Sequence, residues 1–421
     1  MEKGLEIRKE IAVFYKGKKI SPCNFEDAYE INGNIVAYNS NSFAIFDKSG
    51  KMLLFEDANA IENKNDNIII FKEGLCGVYS YNGKLIVPVE FDKIVIMKCG
   101  IAVKKNDMIG VYDYKGKCIV PVEFDTVFEY EKRIWVIRDG KKGLYSFFGK
   151  CILPAEFQDV TIEENGIKVA NKDNYRGFYS LSGELIVPVE FESVRAKKNG
   201  IEVYDGGECG FYSYEGKCIV PVEFNYICIL ECGIIVRKSG KIGLYSYTGE
   251  CIIPVKFEDI HTGKYGIRVD KNKKEGFYSF TGECIVPADF DRIWLCEHGI
   301  VVKKNEKLGY YSYAGECILS VKFDDVSDVG YGIEVMKGDS FGLYSYDGKL
   351  IIPIKYDSIE EVKDSFIEVY LEGKKGLYSK DGKLLVPAKF NDISITKAGM
   401  FEVQKEPGGP YVVYTVRKKT K

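Results

Sequence analysis

Histidine and tryptophan are nearly missing from these 421 residues, with two of each. His261 and His298 fall at different phases of the pattern described below, so no symmetric set of imidazole bases or ligands can be built from them. Each reads as a surface or turn residue, and no nucleophile–base arrangement can be nominated. A run of about 18 apolar residues is also lacking, so no transmembrane span is expected. The opening stretch MEKGLEIRKEIAVF has no apolar centre of the kind a secretory signal carries. Charge of one sign is lacking too: 59 Lys and Arg face 62 Asp and Glu, a net charge of −3. That leaves no basic stripe for nucleic acid. The phosphate-cradling patterns GxxxxGK[ST] and GxGxxG in a strand–helix setting do not occur, and no 3.6-residue apolar periodicity runs through the chain.

What is present is a repeat. The stretch Gly243–Ile260, GLYSYTGECIIPVKFEDI, recurs from end to end. Taking the central Tyr of each Gly-x-Tyr triplet as the marker gives Tyr79, Tyr112, Tyr145, Tyr179, Tyr212, Tyr245, Tyr278, Tyr311, Tyr344 and Tyr378. The gaps are 33 residues, with two of 34. Counting back by 33 gives the degenerate markers Phe46 and Val13, and counting forward lands on Tyr411. A Gly four places after the marker is kept in twelve copies, from Gly17 to Gly382. A fixed period in this range is the signature of a stacked repeat protein.

Each copy reads as three short strands divided by Gly-containing turns, as in Gly233–Arg237, Ile242–Tyr247 and Cys251–Val255. A fourth strand over 259–264 is left open by the pattern. Pro stands nine places after the marker in ten copies, for example Pro121 and Pro254. It cannot donate to a ladder, which places the third of these strands at a sheet edge. The aromatic residue at marker plus twelve (Phe91, Phe124, Phe257, Tyr356) is expected to plug the space between copies. The residue after it (Asp92, Asp125, Asp291, Asn391) fits a turn-forming side chain.

Thirteen cysteines make an odd number. Six share one phase (Cys118, Cys151, Cys218, Cys251, Cys284, Cys317), where other copies carry Leu85, Leu185, Leu350 and Leu384. Exchange with Leu reads as a small buried apolar site, not a disulfide framework or a metal cluster. Free thiols fit a reducing cytoplasm.

This pattern resembles the bacterial WG-repeat family. The residues that carry the resemblance are Gly110, Val111, Tyr112, Asp113, Gly116, Ile119, Pro121, Phe124 and Asp125, preceded by Gly100-Ile101-Ala102-Val103-Lys104-Lys105. It covers nearly the whole chain and is weakest before Phe71. The Trp that precedes the Gly in that family is absent; Ile109, Lys142, Cys209, Ile242, Leu308 and Phe341 stand there, which marks a divergent branch. The resemblance implies a β-rich repeat scaffold and no particular reaction.

The expected fold is therefore all-β: a tandem array of short antiparallel meanders in an open, solenoid-like stack, with a β-propeller as the alternative. Residues 1–70 would be degenerate capping repeats, 71–403 regular repeats, and 404–421 a partial repeat with a basic tail. The expected function is a non-catalytic cytoplasmic scaffold for protein–protein interaction, with no cofactor and no metal. A carbohydrate- or small-ligand-binding module, or an enzyme with a site in a channel, is the alternative. Two columns are candidates for contacting a partner. One is the aromatic position two places after the marker, at Tyr214, Tyr247, Tyr313 and Tyr346. The other is acidic, eleven places after the marker, at Glu90, Glu123 and Glu223, with Lys256, Lys322, Lys355 and Lys389 in later copies.

Overall fold

In a computed structural model, residues 5–8, 12–22, 24–64, 67–362, 366–396 and 400–414 are described. Among them the chain is all strand and turn. It forms eleven four-stranded sheets flanked by a three-stranded sheet at each end, every sheet in simple sequential order. The pairings are antiparallel throughout. One sheet serves for all: Lys93–Ile96, Ile101–Lys105, Met108–Tyr112 and Cys118–Phe124. The fourth strand left open by the sequence exists. It is the first strand of the next sheet, entered after a single residue such as Asp92 or Asp125.

The two turns of a sheet have different chemistry. The second and third strands are joined by two residues with positive φ, such as Asn106 (51°) and Asp107 (66°) or Asn305 (50°) and Glu306 (63°). This is the type I′ connection that matches strand twist. The side chain after the plug aromatic reaches this turn in the sheet it opens: Asp92 accepts from the Asn106 amide at 2.8 Å, and Asp291 from the Asn305 amide at 2.8 Å. It ties down a turn 14 residues further on.

The third and fourth strands are joined by a longer turn that closes on the conserved Gly. The Gly249 amide donates to the Ser246 carbonyl at 3.1 Å, and the Ser246 amide to the Glu250 carbonyl at 2.8 Å. Ser246 is thus a turn residue and not a strand residue; its Oγ accepts from the Thr248 and Glu250 amides at 3.2 and 3.0 Å. Gly315 at the same place has φ +84°, and a Cβ there would meet atoms only at ordinary contact distance. Gly315→Ala is expected to cost about 1–2 kcal/mol from backbone conformation alone. Urea denaturation checks this. Gly282→Ala should cost more, because its Cβ would lie 2.6 Å from the Ile252 carbonyl oxygen.

The fourth strand is a sheet edge, as its proline requires, and it is bulged. Ile109 faces Phe124 and Val111 faces Val120, so two residues of the third strand span four of the fourth. The core lies between successive sheets. Val111, Ile119, Val120 and Phe124 of one sheet pack on Ile134 and Val136 of the next. The marker Tyr meets the plug aromatic of the preceding copy edge to face at 5.6–6.0 Å, in Phe91–Tyr112, Phe157–Tyr179, Phe257–Tyr278 and Phe323–Tyr344. Such pairs add about 0.5–1.5 kcal/mol beyond burial.

Two sequence expectations are corrected. The cysteines at marker plus six are exposed, as are Leu85, Leu185, Leu350 and Leu384 at 45–55%. They open the outermost strand, where no further strand covers them. In the last sheet the marker place is filled by Tyr414, which pairs with Phe401 and packs on Phe390 at 5.6 Å, and not by Tyr411.

The chain divides into two compact units, one of residues 1–207 with 211–218, the other of 208–210 with 219–421. Within each, sheets follow one another in tandem, solenoid-like, with each core closed by the next sheet. Among the described residues no helix is long and apolar enough to cross a membrane.

Candidate binding clefts

Because the first strand of each sheet is an edge, the step from one sheet to the next leaves an open groove beside it. In the first unit this groove is a cleft of about 660 Å³ lined by Val95, Met97, Ala102, Ile109, Val127 and Phe128. Val95 and Phe128 are 46% and 42% exposed. Lys93, Lys98 and Lys104 rim it, with Glu129 opposite. That carboxylate accepts from the Lys98 amide at 2.8 Å. Burial, then the nearby Glu129 charge, pushes the Cys99 thiol up to about 12.

The second unit carries a cleft of about 380 Å³ at the same phase of the repeat. Trp294, Cys296, Val301, Leu308, Val326 and Asp328 line it where Val95, Met97, Ala102, Ile109, Val127 and Glu129 line the first. Here the polar end is built into the fold. The Asp328 side chain is 5% exposed and accepts from the Tyr310 hydroxyl at 2.9 Å, the Tyr346 hydroxyl at 2.5 Å and the His298 amide at 3.1 Å. Burial raises its pKa, but the hydrogen bonds from Tyr346, His298 and Tyr310 outweigh it and hold the carboxyl below its ordinary value. The His298 ring lies against Asp328 at 3.3 Å and stacks on Tyr346 at 4.4 Å. With the Tyr310 and Tyr346 hydroxyls and the His298 amide converging on it, Asp328 orders this end of the cleft.

Of the aromatic column named from sequence, Tyr313 and Tyr346 bond to two residues that line the second cleft, Cys296 and Asp328, whereas Tyr214 and Tyr247 belong to other copies. The members of the column sit in the turn after the third strand and are half-buried. Tyr214, Tyr247 and Tyr313 donate to the carbonyls of Lys197, Leu230 and Cys296, each at 2.7 Å, where the first strand of their own sheet ends. Tyr346 gives its hydroxyl to Asp328 instead. Tyr313 also stacks on Tyr265 at 5.2 Å. The hydroxyls are therefore staples between two turns. Tyr247→Phe removes one such bond and is expected to cost about 1 kcal/mol, read as a lower urea midpoint.

The acidic column is exposed but engaged. Glu90, Glu123 and Glu223 pair with Lys105, Arg138 and Lys238 of the next sheet at 3.4, 3.4 and 3.1 Å. Exposed pairs of this kind contribute about 0–1 kcal/mol each. In later copies Lys256, Lys322, Lys355 and Lys389 lie over the adjacent plug ring at 5.1–5.5 Å. The charge switch along the column thus exchanges an ion pair for a cation–π contact.

The clefts were not legible in the sequence, since each is shared by two copies and its lining residues differ between copies. Exposed large side chains on the short first strands, Val95, Phe128 and Trp294, were the available signal. Among the described residues one group has the makings of a cation site: Asp259, His261 and Asp270.

Three solved structures illustrate what the chain is similar to. Ika8, a computationally designed protein, is 10% identical over 68% of this chain and 95% of its own, with a TM-score of 0.17. PorZ of Porphyromonas gingivalis is 9% identical over 92% of this chain, which spans 64% of PorZ, with a TM-score of 0.19. Hsv2p of Kluyveromyces lactis is 12% identical over 45% of this chain and 74% of its own, with a TM-score of 0.18. At these scores the likenesses decide nothing about arrangement or function. No curated protein matches the chain. Residues 341–374 and 376–406 match the model of the WG containing repeat. The same Gly, turn and plug aromatic recur at the same phase in the other copies, in pairs such as Phe91–Tyr112 and Phe257–Tyr278. Over those two copies, residues 341–374 and 376–406, the chain is similar to the WG containing repeat.

Proposed function

We propose that the chain is a non-catalytic cytoplasmic scaffold that holds protein partners by extended segments laid into the clefts beside the first strands. The observation that carries this reading is the return of the same cleft, at the same repeat phase, in each of the two units. A free strand edge next to an apolar groove is the setting for β-strand addition, where main-chain bonds give affinity and alternate side chains enter the groove. In the first unit the walls are apolar and three lysines stand at the rim, so the fitting partner is a hydrophobic segment interleaved with Asp or Glu. Tyr313 and Tyr346 brace the second cleft through their bonds to Cys296 and Asp328, and the Glu and Lys columns offer a partner surface charge whose sign changes along the chain. No disulfide is found among the described cysteines, which supports a reducing compartment.

Selection of a displayed random peptide library on the full chain tests the reading. Enriched peptides should alternate apolar and acidic residues. Binding should fall about tenfold or more in Phe128→Ser, and the Lys93→Glu Lys104→Glu pair should weaken it most at low salt. Enriched peptides that bind these variants as tightly as the parent chain would overturn the proposal.

A further inference from the structure

In the sheet that follows Phe257, three adjacent strands carry acidic residues at one level. Asp259 of the strand Asp259–Thr262 faces Asp270 of the strand Ile267–Lys271, and Asp270 in turn faces Glu275 of the strand Lys274–Tyr278. Like charges directly opposite one another across strands are destabilising. Three other copies place an Asp at the phase of Asp259, and two of them neutralise it with a lysine: Asp159 with Lys142 at 2.8 Å, and Asp392 with Lys375 at 2.8 Å, while Asp325 has Leu308 at the lysine phase. At the phase of those lysines this copy has Ile242, which is buried. In place of a lysine it brings an imidazole and a second carboxylate.

His261 lies two residues from Asp259 and so on the same sheet face. Its Nε2 stands 3.4 Å from Asp259 Oδ2 and 3.6 Å from Asp270 Oδ2. The three ligand atoms all lie within 4.8 Å of one another. A first-row divalent ion holds N and O ligands at about 2.0–2.2 Å, which sets neighbouring ligands about 3.0–3.6 Å apart. Two of the three edges already have that length, and the Asp–Asp edge lies within 4.8 Å. Asp259 Oδ1 accepts from the Ile260 amide at 2.8 Å, which orients the carboxylate and leaves Oδ2 facing the group.

Asp270 faces Glu275 as well as Asp259, so three carboxylates stand in one row across the strands. Arg268 stands opposite His261, but its buried Nε makes no hydrogen bond. Asp259 and His261 are about half exposed and Asp270 less so, so an ion can enter and keep water on its open side. Glu275 stands next in the row, and its Oε2 accepts from the Ile293 amide at 2.8 Å.

We propose that Asp259, His261 and Asp270 form a binding site for a divalent first-row transition ion, held by one imidazole nitrogen and two carboxylate oxygens with the remaining positions taken by water. The site lies on the second unit and is separate from both clefts.

The test is a titration of the full chain with Co²⁺ alone, followed by the ion's visible absorption. One Co²⁺ per chain should bind, with no thiolate-to-metal band, which separates this site from the many cysteines. His261→Ala and Asp270→Asn should each weaken binding by more than about tenfold, the scale of losing even an outer-shell partner. Thr262→Ala, a neighbouring exposed residue, should leave it unchanged. Unaltered far-ultraviolet circular dichroism of the variants excludes misfolding as the cause. Binding that fails to saturate at one ion per chain overturns the proposal, as do a thiolate band or equal affinity in the His261 and Asp270 variants.

Discussion

Phe257→Ala is expected to lower stability by about 3–5 kcal/mol, the range for deleting a fully buried large aromatic side chain. Phe257 is 1% exposed and packs with Leu244 and Ile253 of its own sheet and with Ile267 and Val269 of the next. Its ring also meets Tyr278 at 5.7 Å, edge to face. Truncation opens a cavity exactly where two sheets share their core, and neither sheet can close it without moving its own hydrogen-bonded strands. Phe257→Leu should recover about half of the loss, since it keeps most of the volume. Urea denaturation followed by circular dichroism separates the two. Equal midpoints for Phe257→Ala and the parent chain would mean that the inter-sheet plug carries no stability.

Gly243→Ala is the second large effect. A Cβ at Gly243 would stand 2.7 Å from the Ile253 carbonyl oxygen and 2.7 Å from Val255 Cγ2, with the Val255 amide nitrogen at 3.0 Å. Two of these atoms are backbone, so the added methyl cannot be absorbed by a rotamer change. The bulged fourth strand, with Pro254 in it, passes directly over this residue. Overpacking of this kind costs about 1–3 kcal/mol, and here the ladder itself must also shift. The same close approach recurs at Gly110 and Gly309. This explains why the Gly of the Gly-x-Tyr triplet is kept while the residue before it varies freely between Ile109, Lys142, Cys209 and Phe341. That preceding residue merely faces the plug aromatic, as Ile109 faces Phe124, and many side chains can do so. Denaturation of Gly243→Ala beside Gly315→Ala tells the steric cost from the conformational one.

The period, the edge position of the proline strand and the plug role of Phe91 or Phe257 could be read from residue types, because each rests on a local rule: turn glycines, a missing amide, a large apolar side chain at fixed phase. The fourth strand could not be decided. Strands such as Lys93–Ile96 alternate between exposed and half-buried residues and carry no strong apolar signal. The cysteine phase misled for a different reason. Exchange with Leu shows that a site tolerates apolar atoms, and an outer strand beside the marker Tyr does so while open to solvent. The candidate site was half legible. Tyr313 and Tyr346 were named, but the carboxylate they surround, Asp328, belongs to a position held by unlike residues in other copies, and the clefts need two copies to exist.

The core closed by the next sheet has a consequence for synthesis. Each copy becomes stable when the following 33 or so residues have emerged, because those residues bring the strand that covers its plug. The loop that must close to form this contact never grows with chain length, so the entropy of closure stays constant from the first copy to the last. A ribosome making this protein would release finished structure at a steady lag of one repeat, and a chain of six copies or of twenty would be assembled under the same rule.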